Sequence, residues 1–449
     1  MTMIDPATAL RDLCGGAVAL PGDEGYDAAR QAFNLTVDQC PAAVVYPADA
    51  NEVAAVVNAA REAGLRVAPQ TTGHNAAPLG DLGRTILLKT SAMGGVEIDA
   101  ANRIARVGAG ALWEDVVDQA APHGLVALHG SSPSVGVAGY SLGGGMGWLA
   151  RSHGLQANSI TAIELVTADG EHVRTDAQHD PELFWALRGG GGNFGIVTAL
   201  EFRLYPLSEV YAGFLLWDWA HAERVLTAWA AWAQDAPDHV TTSLRVMQLP
   251  PLEELPEFLR GRSVVMIDGA VQGDPAVLRP LRDLRPEIDT FAMVPAATLA
   301  RLHQDPEQPM PFVGRSALVD GLTPEAIRAL LAQVGPGSGS PLDSVELRQA
   351  GGALRRRTPG HGAIAGIDGD FLLFMAGLVT DGQVGAVKEV AIKRVLRAME
   401  PWTNRSVYLN FVEHQVGLED VLEPETFARL RAVRARVNPD GLVHANHAI

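Results

Sequence analysis

The sequence predicts an α+β protein built from two domains. Three observations carry that reading. The chain has 449 residues, more than the roughly 100–200 that one hydrophobic core usually serves. Residues 1–205 alternate short apolar runs with helix-spaced apolar patterns and dense glycine segments. After Pro206 the texture changes to Ala- and Leu-rich helical segments alternating with strand-like runs. The expected division is residues 1–205, rejoined by 405–449, against residues 206–404. The second unit is read as a mixed antiparallel sheet backed by helices. Hydrophobic residues make up 47% and charged residues 19%, which suits a folded globular chain.

The elements follow in order. Ala42 to Tyr46 is a β-branched apolar run that Pro47 ends. Asp49 or Asn51 caps a helix whose Val53, Val56, Val57 and Ala60 recur at i, i+3, i+4, i+7. Gly64 stops it and Leu65 to Ala68 restarts a strand, a β-α-β unit that runs into Gln70–Asn75. Val96–Asp99 and Ile104–Val107 are strands. Trp113, Val116, Val117 and Ala120 share one helix face, and Leu125–Leu128 is a strand. Ile160–Thr167 and Glu171–Thr175 form a hairpin around Asp169-Gly170. Ile196–Leu204 is a further strand. Beyond Pro206, helices are expected at Ala220–Ala233 and Pro324–Val334, and strands at Ser263–Ile267, Val345–Gln349 and Phe371–Leu378. Residues 407–449 are read as a strand, a helix around Phe427–Val437 and a polar tail.

Composition excludes several function classes. A net charge of −17 repels phosphate backbones. The one compact basic run, Arg355-Arg356-Arg357, reads as a solvated turn. Met1 to Gly15 lacks a basic head followed by a long apolar stretch, so no secretory signal is expected. No run of about 18 apolar residues suggests a membrane span. Cys14 and Cys40 are the two cysteines, too few for a disulfide framework or a four-cysteine zinc site. A cytoplasmic location is the expectation.

The chemistry lies in three glycine-rich segments: Thr72–Asn75, Gly130–Gly147 and Gly189–Gly195. Glycine lets a ligand approach the main chain, and successive N–H groups can cradle a diphosphate without lysine. Three such loops point to a large anionic cofactor. Gly190-x-Gly192-x-x-Gly195 matches the dinucleotide fingerprint in form only. It follows a helix-like segment and precedes a strand, the reverse of the required order.

Together these segments resemble one family. Thr71-Thr72-Gly73-His74-Asn75 is similar to the histidine motif of the vanillyl-alcohol oxidase/para-cresol methylhydroxylase superfamily, especially its berberine-bridge-enzyme-like branch. Gly130 to Gly147 resembles that branch's long flavin loop. Leu183 to Thr198 resembles a third signature, and Tyr408-Leu409-Asn410 a closing segment. The resemblance is strong over residues 40–205 and moderate over 405–449. It implies a PCMH-type FAD-binding fold and FAD as cofactor, joined by one covalent bond from the His74 ring to the flavin 8α-methyl group. In the first motif the implied cofactor contacts are Gln70, Thr71, Thr72, Gly73, His74 and Asn75, with Pro78 and Leu79 just beyond. In the long loop they are Ser132, Val135, Gly136, Gly139, Tyr140, Gly143, Gly144, Gly145 and Gly147, followed by Leu155 and Asn158. Gly192, Asn193, Gly195, Ile196, Val197 and Asn410 complete the set.

Many members of the branch carry a second link from a cysteine, and here Ser132 stands at that position. A hydroxyl is a far weaker nucleophile than a thiolate, so a single link is expected. Val135 occupies the position that the resemblance connects with oxygen access, which favours an oxidase. A base must take the substrate proton. Tyr408 is the first candidate and Glu413 the reserve, with Tyr140 and His129 as flavin-side alternatives. Phe411 departs from the family's second aromatic position. Asn446 and His447 read as structural.

The expected activity is two-electron oxidation of a small organic substrate, by hydride transfer to flavin N5, with dioxygen reduced to hydrogen peroxide. The substrate classes left open are alcohols, sugars and natural-product intermediates. No nucleic-acid or membrane partner is expected. Two rival readings stay open: a flavin dehydrogenase with another acceptor, and a flavin-binding protein without turnover.

Overall fold

A computed structural model describes residues 10–251, 253 and 257–449. The reading of Met1–Gly15 as lacking a leader therefore lies, for residues 1–9, outside the described residues. No described helix is long and apolar enough to cross a membrane.

The first core lies between two sheets. One has four strands in the order Val18–Ala19, Ala43–Val45, Thr85–Lys89, Arg66–Gln70. The β-α-β reading needs one amendment here. Ala43–Val45 and Arg66–Gln70 are not neighbours, because Thr85–Lys89 inserts between them and runs parallel to both. Asp49 caps the connecting helix Ala50–Ala63 through the N–H groups of Asn51 and Glu52, and Gly64 ends it at φ 66°. Its buried face, Val53, Val56, Val57 and Ala60, joins the core shared with the second sheet. That sheet is antiparallel, in the order Val96–Asp99, Ile104–Gly108, Ile196–Arg203, Ile160–Val166, His172–Asp176.

The second core belongs to a larger sheet. Its path is Ile288–Asp289, Glu209–Asp218, Ser263–Val271, Val240–Gln248, Ser344–Gln349, Phe371–Leu378, Phe312–Val319. Every pairing recorded among the described residues is antiparallel, so the sheet is not mixed. Helices Ala222–Asp235, Pro324–Val334 and Gly382–Met399 cover one face, on which Leu244, Ile267, Val345, Leu347 and Leu373 are buried. Alternation along each strand sends the other side chains to the opposite face. There Leu318, Leu372 and Ala350 meet Met146, Ala150, Leu155 and Tyr408.

Between Val407 and Ile449 the strand expectation fails among the described residues. Tyr408 precedes a single 3-10 turn at Leu409–Phe411, and the segment makes only an isolated bridge, Val443 to Val67. Its apolar residues pack against the sheet face and the glycine loop instead of pairing in a ladder. The helix at the end is Pro424–Val437.

Candidate active site

The three glycine segments and the closing segment converge. Strand Arg66–Gln70 delivers the chain into Thr71–Asn75, and Gly73 takes φ 81° with Ala32 and Gln70 close against it. Gln70 is held from behind: its Oε1 accepts from Lys89 Nζ at 2.5 Å. Burial alone lowers the Lys89 pKa to about 8. The His74 ring stacks on Phe33 with centroids 3.6 Å apart, and Nδ1 pairs with Thr72 Oγ1 at 2.7 Å. Burial lowers its pKa to about 4, with Asp305 only partly offsetting, so the ring is neutral at physiological pH. Its Nε2 is shut off from solvent with no partner.

The long loop folds over this motif. Gly147 must be glycine, because a Cβ there would collide with the His129 carbonyl. Gly139 differs: it is exposed on the short helix Val137–Leu142, and a Cβ on it would meet nothing within 4 Å. Ser132 is buried and its Oγ pairs with Ser134 Oγ at 3.1 Å. Val135 is half-buried. Asn158 Oδ1 accepts from the Gly362 N–H at 2.9 Å, fixing a loop of the second unit. The third segment locks onto the loop through Gly189 and Gly191 N–H groups, both donating to the Leu142 carbonyl. It follows helix Pro181–Leu187 and precedes strand Ile196–Arg203, so the dinucleotide fingerprint is excluded by element order. Ile196 and Val197 are buried in the first core. Leu79 lies in a satellite core with Val44, Ala68, Leu82 and Leu87, a packing position.

The closing segment stitches these loops together. Asn75 donates to the Leu409 carbonyl at 3.0 Å, and Asn446 donates to the Asn75 carbonyl. Asn193 donates to the carbonyls of Gly190 and His447, at 3.0 and 2.9 Å. Asn410 donates to the Tyr140 carbonyl at 2.9 Å and to the Tyr408 hydroxyl at 3.2 Å. Burial raises the Tyr408 pKa, while the N–H groups of Gly145 and Met146, Arg348 and Asn410 pull the other way. Those donors would hold a phenolate if the proton left. Tyr140 differs, since its hydroxyl donates to the Leu128 carbonyl at 3.1 Å. Burial raises its pKa well above the ordinary value. Glu413 sits apart from Tyr408's hydrogen bonds. Burial raises its pKa to about 7 against the pull of Arg315, and Oε2 has no partner.

FAD fits this arrangement. Unpartnered buried polar atoms lie at the convergence: His74 Nε2 and Ser141 Oγ. Such groups ordinarily find partners, and a flavin dinucleotide offers many. Neither cysteine competes for it. Cys40 is exposed on the Asp38–Arg30 side, and burial pushes the Cys14 thiol up to about 11.

A second set of site residues escapes motif reading. On the sheet face opposite the helices lie Ser243, Arg245, Asp268, Glu346 and Arg348. Glu346 Oε1 accepts from Arg348 Nε at 2.5 Å and Ser243 Oγ at 2.6 Å. Arg348 also reaches Ser131 Oγ of the flavin loop at 3.2 Å and lies over the Phe411 ring. Ser131 donates to Asp305 at 2.7 Å. A small cavity between the units is lined by Ser131, Met146, Trp148, Ser243, Arg348 and Gln349. The sequence signal was available: charged residues at alternate positions of otherwise apolar strands.

Comparison with known proteins agrees with this geometry. Residues 41–176 match the family described as FAD binding domain. (R)-6-hydroxynicotine oxidase of Paenarthrobacter nicotinovorans is 36% identical over 234 residues, 51% of each chain. The matched part thus spans about half the length of that curated relative. The structure of 6-hydroxy-D-nicotine oxidase from Arthrobacter nicotinovorans superposes with TM-score 0.81 at 25% identity, covering 96% of both chains. Physcomitrella patens BBE-like 1 superposes with TM-score 0.84 at 21% identity, again over 96% of both. The fold is therefore the two-domain α+β PCMH-type FAD-binding fold.

Proposed function

We propose that this chain, which carries an FAD binding domain in a berberine-bridge-enzyme-like fold, is an FAD-dependent oxidase with its flavin linked once, through His74. The observation that carries the reading is His74: a neutral ring with a closed-off, unpartnered nitrogen where the glycine loops meet. A neutral imidazole is the nucleophilic form. Bound FAD supplies the two-electron acceptor, and dioxygen returns it to the oxidised state. The chain's residues position and deprotonate. Tyr408 takes the substrate proton, with Gly145, Met146 and Asn410 donating to its oxygen and Arg348 favouring the charge. Glu413, near neutral in pKa, is the reserve base. Tyr140 is set aside because a carbonyl holds its proton. In the same reading the remaining motif residues from Gln70 to Asn410 contact the cofactor, except Leu79, Ile196 and Val197, which pack in the cores, and the exposed Gly139; the cut between units falls near residues 205 and 404. The substrate is a small organic molecule that approaches Tyr408 and the Arg348 guanidinium. The first screen takes 6-hydroxynicotine, after the relative of that name, together with sugars, since Glucooligosaccharide oxidase of Sarocladium strictum is 34% identical over 218 residues.

The test is direct. The purified yellow protein is precipitated with acid and its tryptic peptides mapped. Colour retained on the peptide containing His74, with none on that containing Ser132, supports the single link. Hydrogen peroxide formed with (R)-6-hydroxynicotine or cellobiose supports the oxidase. Flavin that washes out removes the covalent bond from the reading, and a protein that never takes up FAD overturns the whole of it.

A further inference from the structure

The least explained feature of the molecule is a fully buried histidine in the second unit. His303 is 2% exposed and sits between two carboxylates. Nδ1 pairs with Asp268 Oδ2 at 2.7 Å, and Nε2 faces Glu346 Oε1 at 3.3 Å. Arg245 holds Asp268 from the other side at 2.7 Å and donates to the His303 carbonyl at 2.9 Å. From its own loop Asp305 faces Nε2 at 3.9 Å, and the Trp148 ring tilts against it. These are the charged groups around the ring. No motif covers this residue, and the oxidase reading does not use it.

The cluster has a direction. Asp268 and Arg245 fix the far side of the ring, as a carboxylate fixes a catalytic imidazole. The near side presents Nε2 to Glu346, which also takes Arg348 Nε and Ser243 Oγ. Arg348 is the cation facing Tyr408, Phe411 and the flavin loop. Three cations, Arg245, His303 and Arg348, balance three carboxylates, Asp268, Asp305 and Glu346. Removing the His303 proton leaves one buried negative charge unmatched, and Arg348 becomes the sole cation on Glu346.

We infer that His303 is a positioning residue for the reacting site: through Glu346 it holds the Arg348 guanidinium against the flavin loop and Tyr408. The inference rests on the oxidase reading and extends it to a residue with no contact to the cofactor motifs. Burial and Arg245 oppose a charged ring, but Asp268, Glu346 and Asp305 outweigh them and raise its pKa to about 9. The site therefore carries a built-in alkaline limit.

The experiment uses the flavin-loaded protein. Its visible flavin spectrum is recorded from pH 6 to 10.5, for wild type and for His303→Gln. A glutamine keeps a hydrogen-bonding side chain but never a charge. The expected result is a spectral transition near pH 9 in wild type that His303→Gln loses, with flavin content equal in both. A transition at the same pH in the variant, or none in wild type, overturns the inference. Should the variant not fold, nitrogen-15 histidine labelling of wild type decides alone. Among the thirteen histidines, one ring should be protonated on both nitrogens at pH 8 and lose a proton near pH 9. No doubly protonated ring at pH 8 overturns it. A protein without flavin sinks the oxidase reading and this inference together, whereas bound flavin without that titration sinks only the role of His303.

Discussion

Arg151 joins the flavin loop to the large sheet, and replacing it with methionine tests how the two units are held in register. The side chain is buried, 5% exposed, and among the described residues no carboxylate forms an ion pair with it, although the Asp238 charge favours its protonated form. Its guanidinium donates to carbonyls instead: Val240 at 2.7 Å, Ala236 at 2.8 Å, and Ala350. Val240 opens one strand of the sheet, Ala350 follows another and Ala236 ends the helix Ala222–Asp235, while Arg151 itself lies four residues beyond the glycine loop. Hydrogen bonds to a charged group contribute about 1.5–3 kcal/mol each, so three give roughly 4.5–9 kcal/mol. Burying the guanidinium costs several kcal/mol in return. Methionine fills similar space without that cost but leaves three carbonyls unsatisfied. We expect Arg151→Met to lose about 2–4 kcal/mol. The assay is urea unfolding followed by tryptophan fluorescence, with flavin release recorded in parallel. Flavin should leave before the second core unfolds, because the join fails first. A loss below about 0.5 kcal/mol, the level of an ordinary surface change, would show that water satisfies those carbonyls and that Arg151 is not the join.

Three further outcomes follow from the same geometry. Tyr408→Phe, which removes the base proposed above, should keep its flavin and slow substrate-driven bleaching by about 100-fold or more, the usual contribution of a general base; stopped-flow absorbance reads it. Gly147→Ala places a methyl group against the His129 carbonyl, an overpacking whose cost should exceed the usual about 1–3 kcal/mol, so the protein should purify with little bound flavin. His303 has a raised pKa in the folded state. Its stabilisation is therefore complete below the unfolded value of about 6.5 and is lost as pH rises through about 9. Thermal midpoints between pH 7 and 10 should fall in wild type and stay flatter in His303→Gln.

Local signals dominated what could be read from the sequence. Gly64, Asp49 and the i, i+3, i+4 valines placed the helix Ala50–Ala63 because caps and periodicity are written in neighbouring residues. The glycine segments and His74 were visible because their chemistry is concentrated in short runs. Non-local pairings were not visible. Nothing near Arg66 announces that Thr85–Lys89 enters between it and Ala43–Val45. The polar sheet face was missed for a related reason. Arg245, Asp268, Glu346 and Arg348 lie on three strands far apart in sequence, and only register brings them together. Helix Gly382–Met399 went unread although Asp381 caps it. Its two glycines and four basic residues dilute the apolar stripe that marks a helix.

The closing stitches have a consequence for biosynthesis. Asn75 is bound by Asn446, 371 residues further along, and Asn193 by His447, 254 residues further along. As the chain leaves the ribosome, the histidine loop is complete early, but the groups that pin it arrive last. Contacts of such separation form slowly. The loop that carries His74 is therefore fastened only after residues 446 and 447 have been made, late in folding.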